Sequence, residues 1–374
     1  MSGRSGGRPQ FLLGGGGTAG HTVPAIAVGR ALVAAGVDPA AIGFVGGRRG
    51  SEGRLVAEAG FAITLLPGRG IQRRLTPANL GAALGLVLAF VQASWLVLRA
   101  RPRAVLSVGG YAGLPVAVAA ALLRRPLVVA EANAVPGSAN RLVGRFARAA
   151  AVSFPGTALP RAVLTGNPVR AEVLAIDRSP AARSAARTAL GIPEGRVVIG
   201  VSGGSLGARR LNAAVRELAE RWSGRSDVAV HHAVGRRDWP SFRTPPTDGL
   251  HYRAVEYEDR MDLVLAAADL WVGRAGGSTC AELGVVGVPA VLVPLPGAPG
   301  DHQTANARAV AEAGGAVLLA DADCTGARLA EVLGPLLDDP ARRAAMGAAT
   351  LTVGHPDAAE RVAALLLHHA RPSP

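Results

Sequence analysis

The chain has 374 residues, 49% hydrophobic and 18% charged, with a formal net charge of +13. That length suits two domains better than one core, and the apolar content excludes a disordered chain. All 40 basic residues are arginine, spread along the chain, and aromatics are scarce at 4%. The positive balance therefore reads as a compositional bias rather than a nucleic-acid track, leaving attraction to an anionic surface or substrate.

Residues 1–10 are rich in Gly, Arg and Ser, and the apolar run after them is too short for a signal peptide. Apolar runs bounded by Gly or Pro then recur at 11–13, 42–45, 62–66, 104–108, 127–130 and 151–154. Helical patterns separate most of them, such as 23–35 with Pro24 near its first turn and Gly36 at its end. Continuous apolar runs spaced by helices predict a parallel sheet covered on both faces. The stretch 81–98 is apolar apart from Gln92 and Ser94 and is followed by Arg99, Arg101 and Arg103. Its place between strands predicts a buried crossover helix; a membrane span, or contact with the membrane surface, are the alternatives. Just upstream, Arg69, Arg73 and Arg74 interleave with Ile71, Leu75 and Leu80, as in an interfacial anchor.

Gly166-Asn167-Pro168-Val169-Arg170 predicts a hinge, followed by a helix at 181–190. The same grammar restarts at 197–201 and continues through 228–230, 270–272, 290–293 and 316–319. A last helical pattern, 358–369, belongs by sequence to the second half, and composition leaves open whether it packs back on the first. The expected division is 1–165, 166–350 and a C-terminal helix in 351–374. The two cysteines, Cys280 and Cys324, form neither a disulfide framework nor a metal knuckle, which suits a reducing cytosol.

Glycine turns follow several of the strands. Gly16-Gly17-Thr18-Ala19-Gly20-His21 lets a diphosphate or sugar approach the N–H groups of the next helix. The literal G-x-G-x-x-G match there is nearly free in so glycine-rich a run. His21 at that helix start is either a base for a hydroxyl or a turn-stabilising histidine. Gly109-Gly110-Tyr111-Ala112-Gly113 is a second such turn, with Tyr111 either bonding a substrate or packing a domain edge. Glu131-Ala132-Asn133 follows the next strand on the same carboxyl edge, where ligands bind in open α/β sheets.

In the second half, Gly203-Gly204-Ser205-Leu206-Gly207 places Ser205 at a helix start, as a phosphate donor or as a plain N-cap. Arg170 is positioned for a charge-assisted contact with a nucleotide. Gly273-Arg274-Ala275-Gly276-Gly277-Ser278-Thr279-Cys280-Ala281-Glu282 is another strand, turn and helix start. Its Glu282 either accepts two ribose hydroxyls or is a favourable acid in a helix's first turn, and Cys280 reads as a packing residue. Asp301, His302 and Gln303 open a further helix and suit sugar hydroxyls. Asp321-Ala322-Asp323 has the D-x-D form of a metal site but reads as a cap and turn, so no protein-held catalytic metal is expected.

In this order, these motifs resemble the MurG family, the N-acetylglucosaminyltransferases that convert lipid I to lipid II in peptidoglycan synthesis. The resemblance spans nearly the whole chain, through 16–21, 109–113, 131–133, 166–170, 203–208, 274–282 and 301–307. It implies an α/β GT-B fold, with two Rossmann-like doubly wound parallel-sheet domains facing a central cleft. It further implies a UDP-GlcNAc donor on the C-terminal domain and a lipid I acceptor on the N-terminal, membrane-associating domain. Arg170 and the main chain of Glu258 would lie near the uracil, Ser205 on the diphosphate and Glu282 on the ribose. Gly277, Ser278, Thr279, Cys280 and Ala281 would line the donor, and His302 and Gln303 the GlcNAc. Thr18, Ala19, Gly20 and Asn133 would approach from the facing half, Tyr111 would meet the acceptor, and His21 would be the base.

No cofactor, metal or nucleic acid is implied. The expected location is peripheral, on the cytoplasmic side of the cell membrane, with cell-wall synthesis or division proteins as possible partners. Two departures from the family pattern stand out: Ala19 replaces a usual glycine, and Glu258 a bulky apolar residue. A nonhydrolysing UDP-GlcNAc 2-epimerase on the same fold is the main alternative. A nicotinamide-dependent oxidoreductase lacks the acid expected after Val45-Gly46-Gly47-Arg48, and a basic nucleic-acid binder would show steeply salt-dependent duplex binding.

Overall fold

The computed structural model describes residues 9–16, 19–48, 52–67 and 78–372. They form two compact units, Met1–Arg170 with His355–Pro374, and Ala171–Gly354. Thr18 and the Arg69, Ile71, Arg73, Arg74 and Leu75 cluster lie outside the described residues, and Leu80 is described by its backbone alone.

The first unit holds strands β1 (Phe11–Gly16), β2 (Ile42–Gly47), β3 (Ala62–Leu66), β4 (Ala104–Gly109), β5 (Leu127–Glu131), β6 (Ala149–Val152) and β7 (Ala162–Leu164). All pair in parallel in the order β3-β2-β1-β4-β5-β6-β7, with Phe11 opposite both Ile42 and Ala104. Successive side chains of a strand point to opposite faces, and both faces are covered here. Phe11 and Leu13 join one core, with Leu106 and Val128. Leu12 joins the other, with Val105 and Val129.

Helices α1 (Ala19–Ala34), α2 (Glu52–Glu58), α3 (Ala78–Ala100), α4 (Gly110–Leu122) and α5 (Ser138–Val143) connect them. α1 begins four residues before the expected 23, so Pro24 lies inside it. Proline lacks an N–H, and the Gly20 carbonyl one turn earlier loses its usual partner.

α3 corrects the expectation of a buried crossover helix. Its small residues Ala89, Ala93, Val97 and Ala100 are buried, while Leu84, Val87, Leu88, Val91, Trp95 and Leu98 are 51–62% exposed. Small side chains let α3 lie close against the alanines of α4, and the large ones fall on the opposite face. No helix among the described residues is long and apolar enough to cross a membrane.

The second unit repeats the plan. Strands β8 (Val197–Ser202), β9 (Val228–Ala233), β10 (His251–Val255), β11 (Leu270–Gly273), β12 (Ala290–Leu292) and β13 (Ala316–Leu318) run parallel in the order β10-β9-β8-β11-β12-β13. Its helices are α6 (Ala171–Leu174), α7 (Pro180–Ala189), α8 (Arg209–Arg221), α9 (Met261–Ala267), α10 (Gly277–Val286), α11 (His302–Glu312), α12 (Gly326–Asp338) and α13 (Pro340–Leu351). Ile199, Val201, Leu211, Val230, Val272 and Leu333 sit in its core.

The chain then returns to the first unit with α14 (Ala358–His369). Val362 and Leu366, both 0% exposed, enter the core that holds Phe11 and Leu32. Burying each contributes about 1.5–3 kcal/mol, so the first unit's stability depends on residues late in the chain. Arg103 Nε donates to the Arg371 carbonyl at 2.7 Å and fixes the end of this return.

Candidate active site

In each unit the loops after the strands gather at the carboxyl edge of the sheet, and most of the singled-out residues stand there. In the first unit, His21 is the third residue of α1 and Ala19 the first. A helical position has no need of positive φ, so alanine is accommodated there. The turns after β1 and β4 touch through glycines. Gly110 has φ 74°, and a Cβ on it would lie 2.1 Å from the Gly16 carbonyl oxygen, so only glycine allows this approach. A Cβ on Gly109 would lie 3.7 Å from His21 Nε2 and 3.4 Å from Asn140 Nδ2, which places both side chains over this turn. Burial pulls the His21 pKa down, against the opposing attraction of Glu131 and Glu52.

Glu131 ends β5 and is 5% exposed. Its Oε1 accepts from the Asn133 backbone N–H and from Asn133 Nδ2, each at 3.0 Å. Its Oε2 accepts from Gly137 N and Asn140 Nδ2, each at 2.9 Å. One buried carboxylate thus shapes the loop 132–137 and orients Asn133. Tyr111 donates to the Pro67 carbonyl at 2.6 Å, tying α4 to the end of β3, and burial raises its pKa. Arg170 is the last residue of this unit before the chain enters α6.

In the second unit the turn after β8 departs from expectation. α8 starts at Arg209, so Ser205 lies four positions earlier in an exposed loop and is not at the helix start. Gly207 and Gly235, with φ of 92° and 95°, press their backbones together, and a Cβ on Gly235 would lie 2.1 Å from Gly207 N. Arg236 N and Arg237 N donate to the Ser205 and Leu206 carbonyls at 3.2 and 3.3 Å, so the β9 loop holds the β8 loop.

Glu282 is the sixth residue of α10, beyond the first turn, so the helix dipole alone does not account for an acid there. Gly277, Cys280 and Ala281 share that helix with Ser278 and Thr279. The Cys280 thiol is pushed up to about 12 by burial and stays protonated, as a packing residue should. α8, α10 and α11 follow β8, β11 and β12 and begin without side-chain caps. By contrast, Thr325 caps α12 and Asp339 caps α13. Gln303 Oε1 accepts from Leu295 N at 2.9 Å, and His302 Nδ1 lies 2.9 Å from the Pro299 carbonyl, so both brace the loop before α11.

Asp321 sits in a short 3-10 turn, with Thr325 as the actual cap of the following helix. Its carboxylate lies 2.6 Å from Arg274 and 3.2 Å from Arg210. Among the described residues no group of three or more His, Cys, Asp or Glu is arranged to hold a metal ion.

Several organising residues escaped sequence reasoning. Buried Asn306 donates to the Ala275 carbonyl at 3.0 Å and links α11 to the turn before α10. On β9, His232 Nε2 is 3.0 Å from Asn212 Oδ1, whose amide nitrogen donates to Val234 O and Asp238 Oδ2. His232 Nε2 is therefore the donor, and Nδ1 accepts from Tyr252 OH at 2.7 Å. Burial, then repulsion from His231, lowers its pKa to about 3. Glu258, taken for its main chain only, uses its side chain as well: Oε2 lies 2.8 Å from His231 Nε2.

Models of the glycosyltransferase family 28 N-terminal and C-terminal domains match residues 11–152 and 198–362. A Nocardioides sp. protein named UDP-N-acetylglucosamine--N-acetylmuramyl-(pentapeptide) pyrophosphoryl-undecaprenol N-acetylglucosamine transferase is 43% identical over 96% of this chain and 97% of its own. The crystal structure of Acinetobacter baumannii MurG is similar with a TM-score of 0.72 and 26% identity, over 96% of this chain and 100% of that one. A structure described as a putative UDP-N-acetylglucosamine 2-epimerase from Listeria monocytogenes has a TM-score of 0.67 at 16% identity, over 98% of each chain, and shows only a shared fold. Two parallel-sheet α/β domains of this kind are the GT-B fold. With such likeness along almost its whole length, the chain belongs to glycosyltransferase family 28 and, within it, to the MurG family.

Proposed function

We propose that the chain transfers GlcNAc from UDP-GlcNAc to the C4 hydroxyl of MurNAc in lipid I, yielding lipid II and UDP with inversion at the anomeric carbon. The observation that carries this reading is the 43% identity, over 96% of the chain, to a relative named for that transfer. The second unit takes the donor. Arg170 and the Glu258 main chain meet the uracil, Glu282 accepts the ribose hydroxyls, and His302 and Gln303 serve the GlcNAc. Gly277 to Ala281 line the donor, with Ser205 at the diphosphate. The uncapped starts of α8 and α10 supply N–H groups and dipoles to the leaving diphosphate, so no cofactor is required.

The first unit takes the acceptor through the loops 16–21 and 109–113, with Tyr111 beside it, while Thr18, Ala19, Gly20 and Asn133 approach the donor. His21 is the base. A lowered pKa keeps its imidazole unprotonated at neutral pH, as proton abstraction from a hydroxyl requires. The exposed face of α3 supports peripheral attachment to the membrane, in the cytoplasmic leaflet that carries the lipid acceptor. Leu84, Leu88, Val91, Trp95 and Leu98 form its apolar stripe, and Arg99 closes it. Division and cell-wall synthesis proteins are the expected partners.

Glu282→Ala and Arg170→Ala should each lower turnover of UDP-GlcNAc with a lipid I analogue by more than tenfold. Near-normal turnover in either variant would overturn this donor map.

A further inference from the structure

We propose that His231 is a positioning residue for donor binding: its bond to Glu258 latches the loop after β10 to strand β9. The proposal rests on the reading above, in which the main chain at 258 meets the uracil.

The loop between β10 and α9 spans residues 256–260. Its first residue is held by main chain, since Gly235 N donates to the Glu256 carbonyl at 2.9 Å. Among the described residues, main-chain bonding from the β9 side reaches no further than Glu256. Beyond it side chains provide the restraint: the Arg236 guanidinium packs over the Tyr257 ring at 4.2 Å, and both oxygens of Glu258 are bonded. Oε1 accepts from Arg260 N at 2.9 Å within the loop, and Oε2 meets His231 Nε2 at 2.8 Å on the neighbouring strand. The His231 side chain is 1% exposed and that of Glu258 12%, so water competes poorly for this bond.

His231 has no other anchor in the described structure, since its Nδ1 is buried without a hydrogen-bond partner. The carboxylate only accepts, so Nε2 carries the proton and the ring is the neutral donor. Burial, with Arg253 adding repulsion across the paired strands, lowers the histidine's pKa and keeps it in that form. A main-chain site reads a base only as well as its backbone is held, and a side-chain latch supplies that hold at a position without ladder bonds. The role is one of positioning, because neither side chain is required to touch the donor.

The test uses the full-length protein with UDP as probe, in isothermal titration and in hydrogen exchange of the peptide covering 256–260. His231→Leu and Glu258→Ala should each weaken UDP binding about tenfold and speed exchange at Arg260. The double variant should be no weaker than Glu258→Ala alone, because Glu258→Ala already breaks the His231 bond together with the one from Arg260 N. For His231→Leu the loss should appear in the KM for UDP-GlcNAc, with kcat held within about twofold. Glu258→Gln, which keeps a hydrogen-bonding partner for His231, should retain affinity within about threefold and serves if a single variant fails to fold. Unchanged affinity in the folded single variants, multiplicative losses in the double, or a tenfold loss in Glu258→Gln would overturn the latch. A wild-type protein that binds no UDP would overturn the underlying reading of the donor site instead.

Discussion

Glu131→Ala should unfold the first unit earlier than any other single change at its carboxyl edge. The carboxylate accepts four hydrogen bonds, two at Oε1 and two at Oε2. Of its donors, Asn140 Nδ2 keeps the Ala130 carbonyl at 2.9 Å, while the two Asn133 donors and Gly137 N depend on water or rearrangement. A bond to a charged acceptor contributes roughly 1.5–3 kcal/mol. Partial water access to the loop discounts the sum, leaving a loss of about 3–5 kcal/mol. In a unit of this size that lowers the melting temperature by roughly 2–4 °C per kcal/mol, or about 6–20 °C in all. Differential scanning calorimetry resolves the transition, and exchange of the 132–140 amides should accelerate in parallel. Glu131→Gln retains one accepting oxygen and should lose about half as much. A Glu131→Ala protein that melts within a degree of wild type would refute the view that this carboxylate organises the loop.

Other outcomes follow from the same geometry. Glu131 raises the His21 pKa against burial, so the acid limb of kcat/KM should lie below the ordinary histidine value of about 6.5 and shift lower still in Glu131→Gln; an upward shift would exclude His21 as the base. His232 has a folded pKa near 3, below its unfolded value, so the unfolded state takes up the proton first as pH falls. Its contribution to stability is complete above about pH 6.5 and erodes by up to about 1.4 kcal/mol per pH unit on acidification. Urea unfolding at neutral and mildly acidic pH should show His232→Phe with lower stability but a shallower pH slope, and an unchanged slope would contradict the buried neutral network. Replacing the exposed Leu88 and Trp95 of α3 together by Asp should cut sedimentation with anionic vesicles more than a hundredfold, at about 1.5–3 kcal/mol per apolar side chain, without lowering the melting temperature; wild-type vesicle binding would dismiss α3 as the contact.

Most central strands were readable because runs such as Phe11-Leu12-Leu13 are apolar on both faces, the mark of a covered parallel strand. The strands that escaped lie at sheet edges. β7 is three exposed residues and β10 reads His-Tyr-Arg-Ala-Val, and neither needs continuous apolar burial. α3 was located but its orientation was misjudged, since a helix apolar all round does not announce which face is buried. At the candidate site the turn glycines and polar residues after each strand were visible from spacing. Glu131 was visible too, but not its function, because four donors converge on it from positions up to nine residues away. The His231–Glu258 pair joins residues 27 apart, one on β9 and one in the loop after β10, a contact set by the pairing of those strands that no local pattern encodes.

The most direct measurement is product analysis after mixing the purified protein with UDP-GlcNAc and a short-chain lipid I analogue. A product heavier by one N-acetylhexosamine, β-linked to the C4 hydroxyl of MurNAc by NMR and accompanied by stoichiometric UDP, is the predicted result. Conversion of UDP-GlcNAc to its C2 epimer without acceptor, or no transfer to the lipid, would contradict the account.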